Sequence, residues 1–118
     1  MREYQPKKNN PYRLPQNLYN EVKYIIKDYK RLKEEYTALT EAPEAERNWV
    51  RLCSAGAKIS AVNRAIEEIP PEYRVGVMNN MENERSRDGY YPDNADYRTY
   101  QTYKRRLIFH VAKNMNYV

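Results

Sequence analysis

Cys53 and His110 are the only cysteine and the only histidine in the chain. A nucleophilic dyad would need the imidazole beside the thiol, but the two residues fall on different expected helices and nothing in the sequence brings them together. Cys53 reads instead as a small buried apolar group, and His110 as a surface or interface residue. No set of Cys and His has the spacing of zinc ligands, so no metal is expected. The glycines at 56, 76 and 89 form no phosphate-cradling loop, and no cofactor is expected. Glu34, Glu35, Glu67 and Glu68 are paired carboxylates at helix edges, where solvated charge is the default. Lys30, Arg31 and Lys33 can pair with neighbouring acids and need no ligand. An enzyme is not expected.

The stretch "DYRTYQTYKRRLIFHVAKNM", residues 96–115, holds five basic side chains and three tyrosines, with no acid after Asp96. Drawn as a helix at about 100° per residue, it puts Tyr97, Tyr100, Leu107, Ile108, Val111 and Met115 in one arc. The opposite arc gathers Arg98, Thr99, Thr102, Arg105, Arg106 and Lys113. Hydroxyl and guanidinium groups at that spacing are the side chains that bond phosphates and base edges. Lys104 points into the apolar arc and must snorkel out. Phe109 interrupts the basic arc, which implies that the second half of the helix packs on the helical hairpin. The first half, about residues 94–106, is the part free to enter a groove. The competing reading is an ordinary core helix with a basic wet face, Arg105 and Arg106 pairing with acids of residues 82–88.

The net charge of +5 is unevenly spread. Residues 1–33 carry nine bases against three acids, and residues 97–118 carry five bases and no acid. Charge segregated to the two ends suits a polyanion partner. Tyrosine occurs thirteen times, against one phenylalanine and one tryptophan. It packs in cores and also at wet interfaces.

The elements that must position these residues are helical. With 118 residues the chain is one domain, or a domain with an arm. Three glycines and recurrent helix formers favour an all-α fold. Residues 1–15, with prolines at 6, 11 and 15, read as a flexible basic arm. A first helix runs from Gln16 to Leu39, because Leu18, Val22, Ile25, Tyr29, Leu32, Tyr36 and Leu39 keep an alternating spacing of four and three. Pro43 opens a second helix that reaches Ile69, with Glu44 and Glu46 complementing its dipole. Trp49, Leu52, Gly56, Ile59, Val62, Ile66 and Ile69 form its stripe, and the small residues of "CSAGA" allow a close neighbour. Two long helices joined this closely are expected to form an antiparallel hairpin over 16–69.

Pro70 stops the second helix and Pro71 opens a third. Tyr73, Val77, Met78 and Met81 give it an apolar face. Gly89 and Pro92 mark a loop, and Asp93 or Asn94 caps the fourth helix. No apolar run approaches the roughly 20 residues that span a bilayer, and the N-terminus has no apolar core of a secretory signal. A single cysteine fits a cytoplasmic protein with no membrane partner.

The segments "AIEEIPPEYRVGVMNNM" and "YPDNADYRTYQTYKRRLIFHVAKNM" resemble the late-gene transcription activators of Gram-positive phages, the RinA and ArpU kind. The C-terminal portion of that family is similar to the DNA-binding fourth region of bacterial sigma factors. Asn94 and Asp96 match its cap region, Thr99 and Tyr100 its Thr–aliphatic step, and Lys104, Arg105, Arg106 and Leu107 its basic end. The long N-terminal helices of the family resemble residues 16–69. The segment "ERSRDGYYPDN" departs from the pattern, leaving no room for a full second helix before the recognition helix. Either Val75–Met81 positions that helix across a long turn, or residues 70–118 form a degenerate helix-turn-helix.

The resemblance and the basic arc together imply a non-enzymatic transcriptional regulator that binds double-stranded DNA in a bacterial host cell. Arg98, Thr99, Thr102, Arg105 and Arg106 would make the contacts, with Lys113 and the arm adding phosphate contacts. One short helix reads too few base pairs alone. A homodimer through the 18–39 seam, or co-binding with RNA polymerase, is therefore expected. The alternative is a helical assembly protein, such as a small terminase-like packaging adaptor, marked by a large apolar surface left over on the first helix.

Overall fold

The computed structural model describes residues 10–82 and 97–118. Residues 1–9 of the expected arm, the 83–93 loop with its acids, and the Asp93 or Asn94 cap lie outside the described residues. Among the described residues the fold is all-α, with five α-helices packed together. They are α1 (Gln16–Lys27), α2 (Tyr29–Glu41), α3 (Trp49–Ile66), α4 (Pro71–Glu82) and α5 (Tyr97–Asn114).

The expected helix from Gln16 to Leu39 is two helices separated by Asp28. Asp28 sits at φ −90°, ψ 1°, a sparsely allowed bridge conformation. Its carboxylate accepts from Arg31 Nε at 2.8 Å, a local bond that competes with regular helix. Hydrogen bonds from Asp28 N to Tyr24 O (3.0 Å) and from Leu32 N to Asp28 O (2.9 Å) carry the chain across the irregularity. The apolar period survives it.

Pro43 opens only a short 3₁₀ turn, Glu44–Glu46, and not the long helix. The cap is Asn48, whose side chain accepts from Arg51 N at 3.1 Å. This satisfies one of the first free N–H groups of α3. Beyond the other end of α3, Arg74 donates to Ile69 O at 2.8 Å and to Glu67 O at 3.1 Å, tying α4 to the turn that follows α3.

Contacts between α2 and α3 pair the first residue of α2 with the last turns of α3, and later residues of α2 with the first half of α3. Glu35 meets Arg51, Tyr36 covers Gly56, and the Tyr29 hydroxyl bonds Asn63. The two helices therefore run in opposite directions. A Cβ at Gly56 would lie 3.2 Å from the Tyr36 ring, the close approach that "CSAGA" anticipates.

α5 is the hub, packing on α3, α1 and α4. Tyr100, Leu107, Ile108 and Val111 are fully buried in a core that includes Val22, Ile26, Val62, Val77 and Met81. α4 approaches α5 closely at Gly76, where an added Cβ would lie 2.5 Å from Cε1 of Tyr100. α5 ends in a Schellman arrangement. Tyr117 N donates to Ala112 O and Asn116 N to Lys113 O, both at 3.0 Å, with Asn116 left-handed at φ 62°. Asn114 Nδ2 donates to Ala61 O at 3.0 Å, anchoring this end to α3.

The described part of the expected arm, residues 10–15, packs on the body. Leu14 is buried in the core, and Tyr12 meets Phe109 edge-on at 5.3 Å. Phe109 is thus covered by the N-terminal segment. Cys53 is exposed, against the expectation of burial. It lies beside the stripe, and its neighbours Leu52 and Ala55 take the inward positions. Trp49, expected on that stripe, is half exposed.

Candidate nucleic-acid interface

The outer side of α5 is defined by what the inner side buries. With Tyr100, Lys104, Leu107, Ile108, Val111 and Ala112 turned inward, residues 98, 102, 105, 109 and 113 must turn outward. Arg98 and Thr102 are exposed and Arg105 is half-buried. These three stand at i, i+4 and i+7, over a rise of about 10 Å. Thr102 Oγ1 donates back to Arg98 O at 2.9 Å, which commits its proton and leaves its lone pairs outward. Thr99 is half-buried to one side. Lys113 is exposed two turns beyond Arg105, with Phe109 and its Tyr12 cover in between.

Arg106 is placed differently. Its guanidinium carbon lies 5.1 Å from the Tyr12 ring centroid and 5.8 Å from that of Tyr103. Its Nε is buried with no hydrogen-bond partner among the described residues. Tyr103 in turn stacks on Tyr73 at 4.9 Å, with 28° between the rings. A column of Tyr73, Tyr103, Arg106 and Tyr12 therefore joins α4, α5 and the N-terminal segment. Cation–π contact of a planar guanidinium is worth about 0.5–1 kcal/mol or more when partly desolvated. The sequence showed the tyrosines by number, but their partners come from three separate segments and no local spacing reveals them.

Lys104 points into the apolar arc as expected, yet it is 2% exposed and does not reach solvent. His110 contacts the rings of Tyr12 and Phe109 at 6.1 and 5.7 Å. Burial holds its pKa below the ordinary 6.5, Lys113 and Arg106 push the same way, and Glu68 opposes them.

A second charged region lies on α1 and α2. Arg31 bonds Asp28 and Glu35, and Glu35 also takes Arg51 of α3. The hydrogen bond from Arg31 is the main reason the Asp28 carboxyl sits below its ordinary pKa. Lys33 lies over the Tyr29 ring at 4.6 Å.

Among the described residues no group of three or more His, Cys, Asp or Glu is placed to hold a metal ion. No described helix is long and apolar enough to cross a membrane. Compared with protein-family models, curated proteins and solved structures, the chain matches none.

Proposed function

We propose that this chain is a non-enzymatic DNA-binding regulator of phage type, acting in the bacterial cytoplasm. In this reading residues 70–118 work as a degenerate helix-turn-helix carried on a helical hairpin formed by 16–69. The observation that carries it is the two-sided character of α5. Its inner face is anchored by four fully buried apolar side chains, while Arg98, Thr102 and Arg105 stand together on the outer face. A rigid helix with a basic outer face can dock on a duplex without an ordering cost at the contact. Arg98, Thr102 and Arg105 are the principal contacts, Thr99 flanks them, and Lys113 and the residues before Tyr12 add phosphate contacts. Arg106 contributes less, its guanidinium lying against the Tyr12 and Tyr103 rings.

Phosphate contacts give affinity a steep salt dependence, with a log–log slope of about −0.9 per contact. Binding to mixed-sequence duplex across a salt series should show that slope. Arg98→Ala with Arg105→Ala should make it shallower by about one to two. An unchanged slope in a folded double variant removes α5 from the mechanism.

One observation favours a second reading, a helical assembly protein such as a packaging adaptor. Tyr36, Trp49 and Val50 are 40%, 50% and 80% exposed around the α2–α3 connection. This is the kind of uncovered apolar surface that marks protein contact. Under the regulator reading the same surface joins two copies or meets RNA polymerase. Val22, Ile25 and Leu32 of the 18–39 seam are already buried by their own chain. A homodimer therefore uses the end of the seam, Tyr36 and Leu39, together with Trp49 and Val50. The assembly reading predicts no salt-sensitive affinity for DNA.

A further inference from the structure

Tyr12 reaches α5 from a turn that stands largely on the surface. Tyr12 N donates to Asn10 Oδ1 at 2.8 Å and Arg13 N to Asn10 O at 3.1 Å, so both bonds lie inside the turn of residues 10–13. Asn10, Pro11 and Arg13 are exposed and Tyr12 is half-buried, while Leu14, one residue beyond the turn, is anchored in the core. An exposed turn closed on itself can swing about its anchor and keep these bonds, a low-cost local opening. What it covers is a cation. The Tyr12 ring lies 5.1 Å from the Arg106 guanidinium carbon, meets Phe109 edge-on at 5.3 Å and approaches His110 at 6.1 Å.

Two effects oppose each other at Arg106. Cation–π contact with Tyr12 favours the cover. Under that cover, however, the Nε–H is buried with no acceptor among the described residues, and an unmatched buried donor on a charged group is unfavourable. The described ion pairs do not include Arg106. Its guanidinium carbon also lies 5.8 Å from the centroid of Tyr103, which stacks on Tyr73. That second support does not depend on Tyr12, so the guanidinium keeps an aromatic neighbour when Tyr12 leaves.

We propose that residues 10–13 form a lid over Arg106 and that duplex DNA opens it. The inference rests on the DNA-binding reading given above and concerns the regulation of that same face. With the lid closed, the outward cations of α5 stop at Arg105 and resume at Lys113, about 12 Å further along the axis. Arg106 falls within about 20° of Lys113 on the helical wheel. Opening the lid therefore joins Arg98, Arg105, Arg106 and Lys113 into one band. A phosphate oxygen is the charged acceptor that the Nε–H lacks under Tyr12. DNA favours the open state because only the open state offers that bond. A purely structural clasp would keep Tyr12 in place in the complex.

The test is the salt series on mixed-sequence duplex with Tyr12→Ala, Tyr12→Phe, Arg106→Ala and the Tyr12→Ala, Arg106→Ala pair. Removing the ring removes the work of opening, so Tyr12→Ala should bind about three- to tenfold tighter at each salt concentration, with the slope unchanged. Tyr12→Phe keeps the ring and should match the wild type. Arg106→Ala should make the slope shallower by about one, and in that background Tyr12→Ala should give no gain. Tyr12→Trp in a Trp49→Phe chain reads the lid directly, and its emission should shift to the red when duplex is added. Tyr12→Ala binding no tighter than the wild type, or an emission that duplex does not move, overturns the lid. The α5 reading then still stands if Arg98→Ala with Arg105→Ala makes the slope shallower. Wild-type protein without salt-sensitive binding overturns both. If Tyr12→Ala fails to fold, the emission measurement decides.

Discussion

His110 is the one residue of the chain whose titration falls near neutral pH. Tyr12 and Phe109 shield it, and its folded pKa lies below the unfolded value of 6.5. Between those two values the unfolded chain binds a proton that the folded chain does not, so stability rises with pH there. The contribution is complete above about 6.5 and is lost as pH falls through the folded pKa. The melting temperature should therefore decline from pH 7.5 towards pH 5 more in the wild type than in His110→Gln. Equal declines would mean that the ring is not shielded. Asp28 does not confuse the measurement, since its lowered pKa acts only below 3.8. At this scale the sequence marked His110 as a surface or interface residue, but it could not supply Tyr12 as the residue covering it. That contact joins positions about a hundred residues apart, and no local pattern encodes it.

Two helical glycines show how elements read differently in sequence and in space. Both would gain up to about 1 kcal/mol of helix propensity on replacement by alanine. At Gly56 the neighbour is the Tyr36 ring at 3.2 Å, and Tyr36 is 40% exposed and able to shift. At Gly76 the neighbour is the Tyr100 ring at 2.5 Å, fully buried and packed against Tyr73. Overpacking of that kind costs about 1–3 kcal/mol. Gly76→Ala should therefore destabilise the fold by about 1–2 kcal/mol, and Gly56→Ala should be neutral or stabilising by up to about 0.5 kcal/mol. Denaturant unfolding of the two variants checks the pair, and a Gly76→Ala protein as stable as the wild type would contradict the close α4–α5 crossing. The "CSAGA" cluster made the Gly56 contact legible because small residues gather there. Gly76 stands alone between Val75 and Val77 and gives no such signal. The break at Asp28 was hidden for another reason, since it leaves the apolar period intact and alters only the backbone.

The molecule is elongated, with extents of 50 × 31 × 25 Å. α5 collects α1, α3 and α4 around it, while α2 packs mainly on α3. Tyr36, Trp49 and Val50 stand exposed on either side of the α2–α3 connection. If two copies meet there, sedimentation equilibrium should show a mass that rises with concentration. Trp49→Glu with Val50→Glu should hold the chain monomeric, with a melting temperature within a few degrees of the wild type at low concentration. A wild-type chain that stays monomeric at high concentration would leave this apolar patch to another protein. The 18–39 seam looked equally fit for a partner helix or for its own chain. The burial of Val22, Ile25 and Leu32 assigns most of it to the chain itself.

The sequence alone determined the all-α class, the inward arc of α5 and the Pro70–Pro71 boundary. Each follows from helical periodicity or from the fixed geometry of proline, which act over a few residues. Tertiary structure decided which basic groups face outward together and which are taken into packing. Arg98, Thr102 and Arg105 keep the outer face, Arg106 lies against the Tyr12 and Tyr103 rings, and Lys104 is drawn inside. A helical wheel gives a residue's direction, but burial depends on what another segment places over it, and that segment is distant in the chain.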